Sequence, residues 1–322
     1  MTFNQNMQQK MHGIARAVEN GYGRNLEQLI AANDILSGAE SQRLRTFCTS
    51  EYMVPSRDLD DLGRALYLGD LSSIEEDFNS RLTECSKSTD PARDVASLAC
   101  ESTKRVCDDF YKLRWGPTQV PIFNLLGLFR IIQPDHKDLY FNIARFFIKK
   151  GLPVDGKDLS GTTALSHSFS TKPGFDFEYS QLLYDAGGDV NDRNRYGGIV
   201  AHEILQVFPF SESDAKRMAV ASLKWFLAHG GNIDIADSDG MVPRYMCEKF
   251  QSVMPELLKA VRKEDQRRKS LEGTCCTLCG TQNPKLLICS RCKKARYCPR
   301  DQKQCQRLDW PQHKKSCRAP AP

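Results

Sequence analysis

The sequence predicts a mostly α-helical protein, an array of short helical repeats followed by a small module knit together by metal ions. Three observations carry this. A glycine-punctuated turn motif recurs at spacings of 36 and 43 residues between Asp155 and Gly240. Each copy follows an apolar stretch with helical spacing. Eight of the thirteen cysteines lie between Cys275 and Cys317. The 322 residues, 40% hydrophobic, are enough for two or three domains with a sizeable core. No apolar run approaches the roughly 18 residues that span a bilayer, so no membrane partner is expected. The opening MTFNQNMQQKMHGIARAVENG has neither the apolar core nor the cleavage site of a secretory signal. An intracellular setting, cytoplasm or nucleus, is expected, and there clustered thiols bind metal rather than pair as disulfides.

Residues 1–61 contain helix-like stretches such as ARAVENGYGRNLEQLIAANDIL and read as an N-terminal helical region whose role the sequence does not give. Residues 62–254 hold the repeats. VDGKDLSGTTALSHS, VNDRNRYGGIVAHEI and IDIADSDGMVPRYMC align on Asp155/Asp158/Gly161, Asn191/Asn194/Gly197 and Asp234/Asp237/Gly240. The helical stretches ARFFIKKG, QLLYDAGG and LKWFLAHGG precede them. Aspartate, asparagine and glycine at these offsets build a β-turn, and the next residues start a helix. This pattern resembles the ankyrin repeat, whose usual period is about 33 residues. LGRALYLGDLSSIEEDF looks like a first repeat and WGPTQVPIFNLLGLFRIIQ a degenerate second, while residues 81–114 do not fit the period. Extra residues fall in STKPGFD and VFPFSESDAKR. Stacked repeats share one continuous core, which leaves a concave face and the turn tips for a partner. His167, His202 and His229 lie beside these turns and are read as hydrogen-bonding turn backbones, against a metal or catalytic cluster.

Residues 255–273 read as a charged helical connector. Beyond Val261 no apolar stripe continues until Leu271, which predicts an exposed helix. Arg267, Arg268 and Lys269 fit a solvated face, with a nuclear import signal as the other reading.

Residues 274–318 form the metal module, and 319–322 are a tail. The spacing is Cys276-x2-Cys279, Cys289-x2-Cys292, Cys298-x6-Cys305 and His313-x3-Cys317. A C-x2-C turn sets two sulfurs on one side of a knuckle, and His313 and Cys317 stand one helical turn apart. Eight ligands make two closed tetrahedral zinc sites of the structural kind, with no position left for a reacting water. So short a module cannot bury enough apolar surface to fold alone, and zinc supplies on the order of 10 kcal/mol per ion. Cys275 is the alternative to Cys276, which alone gives the x2 spacing. From Thr274 onward eleven Lys and Arg face two acids, Asp301 and Asp309. Seven thiolates outweigh two divalent ions, so the zinc-loaded module carries about +6.

The run YCPRDQKQCQRLDWPQHKKSC, with CSRCKKARYC before it, resembles the MYND zinc finger. The resemblance implies a cross-braced arrangement, with Cys276, Cys279, Cys298 and Cys305 on one zinc and Cys289, Cys292, His313 and Cys317 on the other. It departs from the family in having six residues, not three, between Cys298 and Cys305. Asp301-Gln302 stands where Cys-Gln normally falls, so Asp301 or water is the alternative to Cys305. The resemblance also implies binding of proline- and leucine-containing peptides through Ser290, Gln306 and Trp310. An exposed indole offers proline a flat apolar face, and Gln306 can hydrogen-bond an extended backbone. The other reading of Trp310 is a core residue of a very small domain.

Together these predict a non-enzymatic adaptor, with the finger on a proline-containing peptide of one protein and the repeats on another, transcriptional regulation being one setting. No phosphate-binding loop, nucleophile elbow, zincin motif or methyltransferase Asn-His-Ser-Cys run is present. Nucleic acid is the competing partner through Lys293, Lys294, Arg296, Lys314 and Lys315. A finger that is purely structural is the third reading.

Overall fold

The structure, a computed structural model, describes residues 3–87, 95–169, 175–206, 213–299 and 304–319. Much of both expected insertions lies outside them. The chain divides into two compact units. One comprises residues 1–168, 176–188 and 194–196, and the other 169–175, 189–193 and 197–322. No helix of the described residues is long and apolar enough to cross a membrane.

In the first unit, α1 (Phe3–Glu19), α2 (Leu26–Ala31), α3 (Gly38–Ser50) and α4 (Pro55–Asp58) precede three helix pairs. These are α5 (Asp61–Leu68) with α6 (Leu71–Lys87), α8 (Ile122–Ile132) with α9 (Lys137–Lys150), and α10 (Ala164–His167) with α11 (Phe177–Asp185). Between the first two pairs stands α7 (Val95–Lys112), packed along α6. This additional helix is why residues 81–114 break the repeat period. Asp60 caps α5 through the Gly63 amide at 2.7 Å and accepts the Trp115 indole N–H at 2.9 Å. The second repeat keeps a turn without the aspartate–glycine spacing: Trp115 and Val120 exchange both backbone hydrogen bonds. The core is aromatic, with Phe110 against Phe78 at 5.5 Å and Phe147 at 5.3 Å.

The turn before α10 shows why its residues recur. Asp158 Oδ1 accepts the Thr162 amide at 3.0 Å, and the Asp158 carbonyl accepts the Gly161 amide at 2.8 Å. Gly161 has φ +75°, and a Cβ there would stand 2.8 Å from Arg195 N. The left-handed angle and the close approach of the following turn both demand glycine.

The N-terminal helices have a readable role here. Leu29, Leu36 and Leu44 form a buried cluster with Leu159 and Tyr196, residues of two turn tips. The Arg195 guanidinium donates to the carbonyls of Leu29 and Leu159, and the Leu36 amide donates to the Arg195 carbonyl at 2.7 Å. The expectation that turn tips stand free therefore fails at these two. Their apolar residues need a cover, and residues 29–44 provide it.

In the second unit, α12 (Val200–Ile204), α13 (Ser213–Ala228), α14 (Pro243–Lys249) and α15 (Pro255–Ser270) lead into a two-stranded antiparallel sheet and a final helix, α16 (Cys305–Ser316). The strands are β1 (Leu287–Ile288) and β2 (Arg296–Tyr297), paired Leu287 to Tyr297 and Ile288 to Arg296. Asp237 repeats the geometry of Asp158: its Oδ1 accepts the Met241 amide at 2.8 Å and its carbonyl accepts the Gly240 amide.

The stretch read as a charged connector packs on α13 and α14 through Leu257, Leu258 and Val261 of α15, and beyond Val261 it is exposed as expected except at buried Glu264 and half-buried Arg268. Its second half is held by charge rather than by an apolar stripe. Glu264 accepts 2.7 Å hydrogen bonds from both Arg267 and Arg268. Burial alone would raise the Glu264 carboxyl, but the two guanidiniums outweigh it and hold it below its ordinary range. Two of the three residues of the basic run are thus engaged within the fold.

The three turn histidines do not converge. His202 accepts the Ile199 amide and donates to the Met241 carbonyl at 3.1 Å, so it bridges turn backbones, and burial holds its pKa down. His167 meets the Asp158 carboxylate at 2.7 Å. His229 stacks on Trp225 at 3.7 Å and bonds that residue's carbonyl.

Candidate metal centre

Two knuckles, a short hairpin and one helix build the site. In the first knuckle the Gly280 amide donates to the Cys276 carbonyl at 2.8 Å, and Gly280 takes φ +67°. The second repeats this, with the Lys293 amide on the Cys289 carbonyl at 3.0 Å and Lys293 at φ +58°. Each closed loop turns two cysteine side chains to one side. The Thr277 amide donates to the Arg296 carbonyl at 2.7 Å, which braces the first knuckle against β2. Cys298 follows β2, Cys305 opens α16, and His313 stands on its last turn, just before Cys317.

The result is two interleaved clusters. Ligand atoms of Cys276, Cys279, Cys298 and Cys305 lie within 4.8 Å of one another, as do those of Cys289, Cys292, His313 and Cys317. Sγ of Cys279 is 3.6 Å from that of Cys298, Sγ of Cys289 is 3.9 Å from that of Cys317, and Cys292 Sγ is 3.6 Å from His313 Nε2. A tetrahedral zinc with bonds of about 2.3 Å gives edges of roughly 3.8 Å, so both donor sets fit the ion. Cys276, not Cys275, is in the first cluster. Cys275 is buried in a bridge to Gln282, and burial pushes its thiol pKa up. Asp301 lies outside the described residues.

Four sulfurs packed this closely divide their protons unevenly. Hydrogen bonds from Cys276, Cys298 and Cys305 hold Cys279 far below the usual thiol range, while those to Cys276, Cys279 and Cys298 push Cys305 far above it. In the other cluster the Cys292 amide and His313 bring Cys289 down to about 6. A divalent cation is what allows all the thiols of such a set to ionise together.

The first knuckle is also tied to the rest of its unit. The buried Leu278, between its two cysteines, accepts on its carbonyl from Asn232 Nδ2 at 2.9 Å and Arg268 Nη1 at 2.6 Å. Arg268 Nη2 reaches the Gly231 carbonyl at 2.7 Å. Asn191 completes the lattice, accepting the Asn232 amide at 2.8 Å and donating to the Gly230 carbonyl at 2.9 Å. Nothing in the residue pattern signalled these anchors, because their acceptors are backbone carbonyls.

Of the expected peptide contacts, Ser290 is exposed beyond β1, Gln306 is half-buried and Trp310 is 44% exposed. Trp310 is therefore not a core residue. It packs its inner edge against His313, ring centroids 6.0 Å apart. Beneath α16, Tyr297 is buried and donates to Asp309 at 2.6 Å. Leu287 and Ile288 of β1 are 45% and 48% exposed, apolar residues that spacing alone did not mark.

The sequence model of the MYND finger family matches residues 276–317, the span that contains both clusters. Those residues are a MYND finger. A MYND finger binds zinc, and the two clusters fit two ions. The chain is similar in structure to an ankyrin repeat domain from Acinetobacter baumannii AYE, at 18% identity over 62% of this chain and 97% of that one, with a TM-score of 0.38. It is similar also to the ankyrin repeat domain of Bcl-3, a member of the IkappaB protein family, at 13% identity over 63% and 98%, with a TM-score of 0.30. The repeat character of the chain stands on its own turns, Asp158–Gly161 and Asp237–Gly240, which share one hydrogen-bond pattern.

Proposed function

We propose that this chain is a non-enzymatic adaptor whose MYND finger reads proline- and leucine-containing peptides while its helical repeats hold a second protein, with transcriptional regulation as one setting. In this reading Cys276, Cys279, Cys298 and Cys305 ligate one zinc, and Cys289, Cys292, His313 and Cys317 the other. The observation that carries the peptide assignment is the exposed indole of Trp310, fixed from below by His313. Gln306 lies one helical turn before it on the same face of α16. Exposed Leu287 and Ile288 lead through Cys289 to Ser290, so apolar and hydrogen-bonding groups gather around the second cluster. A peptide could extend along this strand, stack proline on the indole and bond its backbone to Gln306. Joining this reader to the repeats on one chain raises the effective concentration of the second partner.

The test is affinity capture from extract with wild type and Trp310→Ala, after each is shown to hold two zincs per chain. A set of proteins lost only from the variant is expected. Identical captures would remove the peptide assignment.

A further inference from the structure

We infer that the peptide this finger takes is acidic beside its apolar core, an inference that rests on the peptide reading above. One face of α16 presents Trp310 to solvent. Residues three or four apart on a helix are neighbours, so Arg307 lies one turn before the indole and Lys314 one turn after it. Both are exposed. Arg307 donates to the neutral Gln304 side-chain oxygen at 3.1 Å, and Lys315 to the neutral Gln312 side-chain oxygen at 3.1 Å. Neither Arg307 nor Lys314 forms an ion pair with any described carboxylate. Across the second cluster, Lys293 and Lys294 are exposed on the knuckle that carries Cys292.

The finger holds two acids: Asp309 accepts the Tyr297 hydroxyl beneath the helix, and Asp301 lies outside the described residues. Zinc does not reverse the sign. Three thiolates and one neutral imidazole leave the second cluster at about −1 with its ion, and the loaded finger stays near +6. Cations set on either side of an exposed apolar anchor, with no described carboxylate paired to them, favour a ligand that brings carboxylates to both sides of a proline-leucine core. A duplex is the less suitable polyanion, because the cations flank an apolar anchor that would have no place against a phosphate backbone.

The test uses the full zinc-loaded chain and three fluorescein-labelled peptides. The first has a proline-leucine core flanked by glutamates, the second the same core flanked by glutamines, and the third the glutamate flanks with a serine-only core. Fluorescence anisotropy at about 50 mM salt should give roughly tenfold tighter binding of the first than the second. The gap should close near 0.5 M salt, where screening shortens to a few ångströms. Arg307→Glu/Lys314→Glu should abolish the gap and leave the glutamine-flanked peptide bound. The serine-core peptide should bind weakest.

Equal binding of the first two peptides, with both lost in Trp310→Ala, overturns the acidic preference and leaves the peptide reading standing. Binding indifferent to Trp310→Ala and to the core, or no binding by any peptide, overturns both. Random-sequence duplex that displaces the glutamate-flanked peptide with higher affinity assigns these cations to nucleic acid and overturns the inference.

Discussion

Cys276, Cys279, Cys298 and Cys305 are all buried, and the carbonyl between the first two is bonded to Asn232 and Arg268. Cys289, Cys292 and Cys317 of the other cluster are buried as well, but its fourth member, His313, is half-exposed and the surrounding residues Leu287, Ile288 and Trp310 face solvent. One cluster is thus built into the body of its unit and the other faces outward. The contrast teaches that cross-bracing, usually described as a way to stabilise a small domain, here also divides labour. Because α16 carries ligand positions of both clusters, the inner one anchors the helix whose exposed face the outer one presents.

The two clusters should differ most on metal loss at a single site. A structural zinc contributes on the order of 10 kcal/mol, so Cys279→Ala and Cys317→Ala should each release about one zinc per chain. Their consequences should differ. Without Cys279 the first knuckle loses its shape, and the bonds from Leu278 to Asn232 and Arg268 go with it. Hydrogen-exchange mass spectrometry should then show faster exchange at residues 230–232 and along the second half of α15. Cys317→Ala should leave these segments protected. Equal deprotection in both variants would mean that the two clusters fold as one unit and that the distinction drawn above is only one of surface.

A smaller effect is expected where the inner cluster meets α15. Arg268 is 21% exposed and serves Glu264, the Leu278 carbonyl and the Gly231 carbonyl at once. Arg268→Ala leaves two carbonyls short of a donor and Glu264 with one guanidinium in place of two, which should cost about 2–3 kcal/mol. A denaturant titration of the zinc-loaded chain reads this directly, and Arg268→Lys should recover little, since an ammonium cannot span three acceptors in one plane. Asn232→Ala should cost less, about 1 kcal/mol, because the Leu278 carbonyl keeps its bond to Arg268. If Asn232→Ala proves the more damaging, the knuckle is held chiefly through the turn and not through the helix.

Which of these features the sequence announced follows from what each is made of. The interleaved cysteines are legible because tetrahedral coordination imposes spacing, and the turn residues because Gly161 and Gly197 sit at positive φ beneath the next turn. The hold on the second half of α15 was not, because it is made by Glu264 with Arg267 and Arg268, and such residues read as solvated until their partners are known. The cover over the turn tips escaped for a related reason: Leu29, Leu36 and Leu44 mark a buried face but not what buries it. The second repeat's turn was faint because Trp115 and Val120 make it with their backbones, which carry no residue signature.

On the outer side, removing Trp310 should barely change stability. Trp310 is 44% exposed, and its described ring contact is with His313 at 6.0 Å. An exposed residue with so little packing beneath it contributes within about 0.5 kcal/mol to stability. Trp310→Ala should accordingly keep two zincs, unfold at the same denaturant concentration as wild type and show unchanged exchange at residues 230–232, while losing peptide. A residue whose removal costs affinity and not stability is one the fold displays rather than uses. Were Trp310→Ala to lose the outer zinc or unfold earlier, the indole would be part of the packing that fixes His313, and the outer cluster would need its own cover just as the inner one does.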